Sequence, residues 1–314
     1  MPRVNVIKPG FQTTVQDLGR PHYAHYGVSA SGAADAVSFR IGNLLVGNDE
    51  NTPALEMTLV GGEFEFDSSA VIAVTGSNFK PLLDGEPLPP WTTVAVRAGQ
   101  VLKVQVTTKG ARCYLAIRGG LVVPRVLGSA STHVLTGIGG LGGRPLKQSD
   151  VLEYLAMPEA QFQLRKFNVE SLAHSFEGGT LRVTRGPQIE FYNDDTLKLF
   201  TESVYSVSED TNRMGIRLQG PPLTKKEERE IITEGVSLGA VQISHDGMPI
   251  VLFVEHQTTG GYPKIANVIT ADLHRLGQLR PRDAVRFEFV SLETAESLLE
   301  ELESLITQHA LIGT

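Results

Sequence analysis

Val241-Gln242-Ile243-Ser244-His245-Asp246-Gly247 leads through two residues into Ile250-Val251-Leu252-Phe253-Val254. Apolar, β-branched runs on either side of an Asp-Gly pair read as strand, turn, strand, because both turn residues tolerate positive φ. The first half carries the same device in Lys80-Pro81-Leu82-Leu83-Asp84-Gly85-Glu86-Pro87-Leu88. Val71-Ile72-Ala73-Val74 and Val101-Leu102-Lys103-Val104-Gln105-Val106 are further strand-like runs. Three turn-then-strand units also recur: Gly99-Gln100-Val101-Leu102, Ser149-Asp150-Val151-Leu152 and Arg282-Asp283-Ala284-Val285. Their spacings are unequal, which excludes a solenoid. The expectation is a mainly β chain with α insertions, made of two related β-rich subdomains over residues 1–157 and 158–314.

Helical signals are fewer. Residues 33–46 place Val37, Ile41, Leu44 and Leu45 on one face, with Ser31 as the expected cap and Gly47 as the stop. Thr224-Lys225-Lys226-Glu227 has the spacing of a capping box that opens a helix toward Ile232. Residues 264–276 are expected to be helical and to end at Gly277. Residues 292–310 carry an apolar stripe from Leu292 to Ile306 opposite a row of glutamates.

The 314 residues include 28 Lys and Arg against 35 Asp and Glu, a net charge of −7 that gives nucleic acid or an anionic membrane no basic field to meet. With 41 % hydrophobic and 20 % charged residues, the composition is that of a folded chain. Cys113 is the single cysteine, so no internal disulfide or thiolate metal site can form. The N-terminal residues lack a signal-peptide core, and no stretch is apolar enough to cross a bilayer; the expected location is the cytoplasm.

Several motifs are weaker than they look. Gly137-Ile138-Gly139-Gly140-Leu141-Gly142 matches G-x-G-x-x-G. A strand follows it where a dinucleotide fold needs a helix, which excludes the Rossmann reading. An anion-cradling loop beside Arg144 and a plain surface hairpin both remain open. His22 and His25 have no neighbouring ligands for zinc. Ser131 lacks the strand-to-helix elbow of a nucleophilic serine.

The densest polar stretch is Glu255-His256-Gln257-Thr258-Thr259-Gly260-Gly261-Tyr262-Pro263-Lys264. Between an expected strand and an expected helix, its N–H groups and threonines would face an anion at the helix N-terminus. Gln257, Thr258, Thr259, Gly260, Gly261 and Tyr262 are candidate substrate contacts. Glu255 and Lys264 are candidate catalytic groups, one for proton transfer and one for charge. Asp17 and Arg20 form a second acid–cation cluster, and Arg213 with Arg217 a third. Paired guanidinium forks suit a carboxylate or phosphate, yet each cluster taken alone reads equally as a structural ion pair. Asp17 joins the catalytic candidates; Arg20, Arg144, Arg213 and Arg217 join the substrate-binding ones.

Read in order, Thr13-Thr14-Val15-Gln16-Asp17-Leu18-Gly19-Arg20, Ser31-Gly32-Ala33-Ala34-Asp35, Asn43-Leu44-Leu45-Val46-Gly47-Asn48, Pro53-Ala54-Leu55-Glu56, Ala116-Ile117-Arg118-Gly119-Gly120, Gly139-Gly140-Leu141-Gly142-Gly143-Arg144, Arg213-Met214-Gly215 and Gln257-Thr258-Thr259-Gly260-Gly261-Tyr262-Pro263 form a series. That series resembles the biotin-dependent carboxyltransferase-like family, also called the allophanate hydrolase subunit 2 family. Ser149 and Arg282 depart from it, standing where the family usually has glycine before aspartate. The resemblance implies two subdomains built around cyclophilin-like β-barrels, and a small partner subunit in a hetero-oligomer. It implies a component of an ATP-dependent 5-oxoprolinase, opening the lactam of 5-oxoproline to glutamate with ATP and Mg2+. On that reading Asp17, Asp35, Glu56 and Glu255 are the carboxylates available to hold magnesium or move protons. Two alternatives share the motifs: a carboxyltransferase acting on urea or a related amide with a biotin carrier in trans, and a non-catalytic regulatory subunit that binds a kinase inhibitor.

Overall fold

The computed structural model describes residues 1–157, 164–172, 179–226 and 231–309. The chain divides into two compact units: Met1–Arg20, Ser31–Leu172 and Ser304–Thr314 in one, Pro21–Ala30 and Ala173–Glu303 in the other.

The strands of the first unit are β1 (Arg3–Lys8), β2 (Gln12–Gln16), β3 (Ala54–Thr58), β4 (Glu63–Phe66), β5 (Ala70–Gly76) and β6 (Leu82–Leu83). They continue with β7 (Glu86–Pro87), β8 (Thr93–Val96), β9 (Val101–Lys103), β10 (Arg112–Ile117), β11 (Leu121–Val122) and β12 (Val151–Tyr154). They form a seven-stranded sheet, β11-β12-β1-β4-β9-β6-β7, and a five-stranded sheet, β2-β3-β10-β5-β8. Alternation selects the core: Val4, Val6, Phe64 and Phe66 from one sheet meet Leu55, Met57, Ile72, Val74, Cys113, Leu115 and Ile117 from the other. Burial pushes the Cys113 thiol well above its ordinary range.

The opposite face of the five-stranded sheet carries Tyr114 and Thr75, and the helix Ala36–Leu45 covers it. Phe39 meets Tyr114 edge-on with ring centres 5.8 Å apart. Gly42 lets the helix approach closely, since a Cβ there would sit 2.8 Å from Thr75 Oγ1. The cap is Asp35 rather than the expected Ser31: its carboxylate accepts from Ser38 N at 2.9 Å and from Ser38 Oγ at 2.6 Å. Ser31 instead turns the chain just before the helix, with φ +57°.

The three turn-then-strand units share one construction. Arg97 O, Lys147 O and Arg280 O accept from the N–H groups of Gln100, Asp150 and Asp283 at 3.2, 3.2 and 3.0 Å. Side-chain oxygens of Gln100, Asp150 and Asp283 return the bond to Arg97 N, Lys147 N and Arg280 N at 2.8, 2.7 and 2.8 Å. The third residue is left-handed each time: Gly99 at φ +84°, Ser149 at +69° and Arg282 at +73°. A turn of this kind requires positive φ at that position, and only the first unit's Gly99 meets the demand without strain.

In the second unit, β13 (Thr180–Arg185), β14 (Tyr205–Val207), β15 (Gly215–Gln219), β16 (Glu234–Gly235) and β17 (Ala240–Ile243) are followed by β18 (Pro249–Leu252), β19 (Thr259–Gly260), β20 (Lys264–Val268) and β21 (Ala284–Phe289). Seven of them close a barrel in the order β13-β20-β17-β18-β15-β14-β21, sealed by the parallel pair of β13 and β21. Outside the barrel, β16 and β19 pair as a two-stranded ribbon. The helix Asp194–Glu202 sets Phe200 against Phe287, stacked at 4.4 Å between ring centres.

Two expectations change. Residues 264–276 are not one helix: Lys264–Val268 is a strand, Thr270–Asp272 is a turn of 3-10 helix, and only Leu273–Leu276 is α-helical, closing on Gly277 at φ −63°. Ile265, Val268 and Ile269 are β-branched, and residues 264–266 are buried in succession, as a strand packed on both faces requires. The first unit also runs beyond residue 157. Arg165 O accepts from Thr93 N at 2.9 Å, and Phe167 N donates to Trp91 O at 2.9 Å, which ties these residues to the first unit's strands. The helix expected from Thr224 toward Ile232 is not formed at residues 224–226 or 231–232, and its remaining residues lie outside those described. Helix Leu292–His309 forms as expected, with Leu302 and Ile306 buried but Leu292 exposed.

Two outcomes follow from this geometry. Ser149→Gly relieves a left-handed serine on an exposed turn and is expected to raise stability by about 0.5–1 kcal/mol, read as a higher melting temperature. Asp272, fully buried, accepts from Arg182 N at 2.8 Å, Arg182 Nε at 3.1 Å and Arg182 Nη2 at 2.5 Å. Burial opposes its ionisation, but Arg182 prevails and holds the carboxyl below its ordinary range. A depressed pKa stabilises above the unfolded value, about 4, and that contribution is lost as pH falls through the lower folded value. Asp272→Asn should cost about 3–5 kcal/mol in denaturant unfolding at pH 7 and make stability less dependent on pH below about 4.

Candidate functional site

The second unit holds a cavity of about 500 Å3 whose lining includes Lys264, Thr258, Thr259, Asn267, Pro187, His25 and the ribbon residues Gly235, Val236 and Ser237. Three elements meet around Lys264 at its edge. Strand β20 places Lys264 at its start, hydrogen-bonded between β13 and β17. The segment after β13 brings Gln188, whose N–H donates to Lys264 O at 3.2 Å and whose Oε1 accepts from Lys264 N at 3.1 Å. Gly186 makes the approach possible, because a Cβ there would lie 2.6 Å from Ala266 N. The ribbon supplies Glu234, opposite Gly260, and Thr259, opposite Gly235.

Lys264 is 4 % exposed and its ammonium pairs with Glu234 Oε1. Gln188 Nε2 donates to that same oxygen at 2.7 Å. These bonds hold the Glu234 carboxyl below its ordinary range, Lys264 foremost and Gln188 next. Thr258 is half-buried and Thr259 exposed, so both hydroxyls belong to an open polar wall. Gln257 stands beside them, donating from Nε2 to Gln242 Oε1 at 3.3 Å. Gln242 is buried and donates to Tyr262 O at 3.5 Å. At Gly260 a Cβ would fall 2.7 Å from Gln242 Nε2, so the amide end of Gln242 would have to move aside. Gly261 sets no such demand, since its nearest neighbour would be Thr233 Oγ1 at 3.6 Å. Tyr262 meets His245 edge-on at 5.2 Å. The stretch leads into a strand, so its N–H groups do not sit at a helix N-terminus.

The remaining candidates stand elsewhere. Arg213 Nε donates to Glu255 Oε1 at 2.5 Å, both residues buried. Arg217 is exposed on β15 and near enough to Asp246 to help lower its pKa, after Ser244 and backbone hydrogen bonds. In the first unit Asp17 accepts from Ser129 Oγ and Ser131 Oγ at 2.6 Å each, from Ala130 N at 2.7 Å and from Gly19 N at 2.8 Å. Arg20 is buried and donates to Ser131 O. Arg144 is engaged twice by Asp150, at 2.7 and 2.8 Å. These four-way and two-way contacts fix loops. Gln188 and Glu234 were not among the sequence candidates; no motif marks either, and only the fold brings them to Lys264. Among the described residues, no group of three or more His, Cys, Asp and Glu converges as a metal site, and no helix is long and apolar enough to cross a membrane.

Residues 26–289 match the model of the carboxyltransferase domain, subdomain A and B. The chain is 38 % identical over 309 residues to the 5-oxoprolinase C subunit of Escherichia coli strain K12, covering 98 % of this chain and 97 % of that one. The crystal structure of the Kluyveromyces lactis urea carboxylase matches 99 % of the chain with a TM-score of 0.91 at 32 % identity. The K. lactis urea amidolyase does so with the same score and identity. The chain spans 30 % of the first of these structures and 20 % of the second. With the model matched across both units and a relative matched end to end, the chain belongs to the carboxyltransferase domain family, subdomain A and B.

Proposed function

We propose that this chain is the C subunit of an ATP-dependent 5-oxoprolinase, working with partner subunits to open 5-oxoproline to glutamate. The observation that carries this reading is the end-to-end match to a 5-oxoprolinase C subunit, 97 % of whose length is covered. The cavity's chemistry supports it. Neutral hydroxyls of Thr258 and Thr259 suit a lactam carbonyl and N–H without the desolvation cost of a charge. The buried Lys264 suits the anionic end of the same molecule.

The carboxylates named from the sequence do not form a donor set for a magnesium ion. Asp35 caps a helix. Glu56 accepts from Tyr114 Oη and Ala34 N at 2.8 Å each. Asp17 holds a loop, and Glu255 holds Arg213. ATP and Mg2+ are therefore assigned to the partner subunits, with this chain binding and orienting the lactam. A second reading, carboxyl transfer to urea or a related amide from a biotin carrier in trans, is favoured by the likeness to urea carboxylase over the whole chain.

Reconstitution separates them. The isolated chain is expected to show negligible 5-oxoproline-dependent ATP hydrolysis, and activity should appear when its cognate partners are added; turnover on urea with a biotinylated carrier instead would favour the second reading. Thr259→Ala should lower kcat/KM for 5-oxoproline about five- to tenfold, the worth of one hydrogen bond, with the melting temperature unchanged. Normal kinetics for that variant would remove the cavity from the reaction.

A further inference from the structure

We infer that Lys264, which lines the second unit's cavity, and Gln188 beside it form a carboxylate-binding fork at the cavity's edge, and that Glu234 occupies this fork in the unliganded chain as a displaceable stand-in. For the identity of the ligand this rests on the 5-oxoprolinase reading; the fork itself is read from the geometry.

The unusual feature is which partner is buried. Where Arg182 pairs with Asp272 and Arg112 with Glu56, the carboxylate is sealed, at 0 % and 2 % exposure of the side chain. An acid sealed in this way cannot be exchanged for a dissolved anion. In the Lys264–Glu234 pair the order is reversed, more sharply than in Arg40–Glu50 at 16 % and 34 %: the Lys264 side chain is 5 % exposed and that of Glu234 is 44 % exposed. A lysine ammonium removed from water needs an anion, and this one is answered by an acid that still faces solvent.

Anchoring differs in the same sense. Lys264 lies on a barrel strand paired on both sides, and its main chain is bonded twice to Gln188. Glu234 lies on a two-residue strand of the ribbon, outside the barrel. The cation and the amide donor are fixed, and the acid is carried by the smaller element. Both donors converge on one atom, Glu234 Oε1. A ligand carboxylate placed there would receive the same two bonds. Thr258 and Thr259 line the same cavity, so one small molecule can set its carboxylate on the fork and its neutral amide on the hydroxyls. A ligand without a carboxylate, such as urea, would leave Glu234 in place.

Calorimetric titration of the full chain tests this with three probes: 5-oxoproline, 2-pyrrolidinone (the same lactam without the carboxylate) and propionate. Glu234→Gln and Glu234→Ala remove the competitor and should tighten 5-oxoproline and propionate binding about fivefold, leaving 2-pyrrolidinone unchanged. Gln188→Ala should weaken both carboxylates and spare 2-pyrrolidinone. Lys264→Met should abolish the preference for 5-oxoproline over 2-pyrrolidinone; should that variant fail to fold, Gln188→Ala carries the same comparison. Propionate tightened by the Glu234 variants while 5-oxoproline binds to none would support the fork and remove the 5-oxoprolinase reading. Carboxylate affinities unmoved by both Glu234 variants, or no carboxylate binding to any form of the chain, would overturn the inference.

Discussion

Everything in the second unit depends on the parallel pairing of β13 with β21, in which Thr180 faces Arg286 and Val183 faces Phe289. Every other pair of the barrel is antiparallel, and without this one β13 and β21 would be exposed edges. Closure removes both edges, and β20, paired with β13 on one side and β17 on the other, cannot slide without breaking two ladders at once. The first residue of β20 is Lys264, so the position of its ammonium is set by the barrel and not by a loop. The neighbouring pairing of β13 with β20 dictates Gly186, because the chain leaving β13 must pass against Lys264 and Ala266.

Most buried acids in both units serve structure, Asp272 and Glu255 in the second as much as those in the first. In the first, Asp17, Asp35 and Glu56 each accept several hydrogen bonds from main-chain N–H groups and hydroxyls within their own surroundings. A carboxylate satisfied in this way is a rigid joint: it orders the loop whose N–H groups it collects, and proton transfer would forfeit those bonds. The acid types that catalysis favours are thus spent on structure there. In the second unit, the lysine beside the cavity is matched with an acid that water still reaches.

Local features were the most legible in the sequence. The Asp84-Gly85 hairpin forms with both residues at positive φ, at +50° and +89°. The three turn-then-strand units were visible because a side-chain acceptor must stand after a left-handed residue, and that requirement acts within four positions. Segment 264–276 was misread because a buried run has no periodicity to separate strand from helix; β-branching and burial on both faces decided it. Asp35 displaced Ser31 as the cap because helical conformation begins only at Ala36. Of the site, the neighbouring residues Thr258, Thr259 and Lys264 were legible together. Glu234 and Gln188 are not, since they lie 30 and 76 positions from Lys264 and meet it only through the ribbon pairing and the chain leaving β13.

An internal carboxylate on a buried cation also limits what the cavity can discriminate. A site built to hydrogen-bond a polar group rejects an analogue lacking that group because its own donors are left unpaired. Here a neutral analogue leaves nothing unpaired, since Glu234 stays on Lys264 and Gln188. Selectivity for a carboxylate is then only the difference between two ion pairs, which is small where one acid is half in water. Sharper selectivity requires the ribbon to be drawn away from the barrel, so that the cation is unanswered until the ligand arrives.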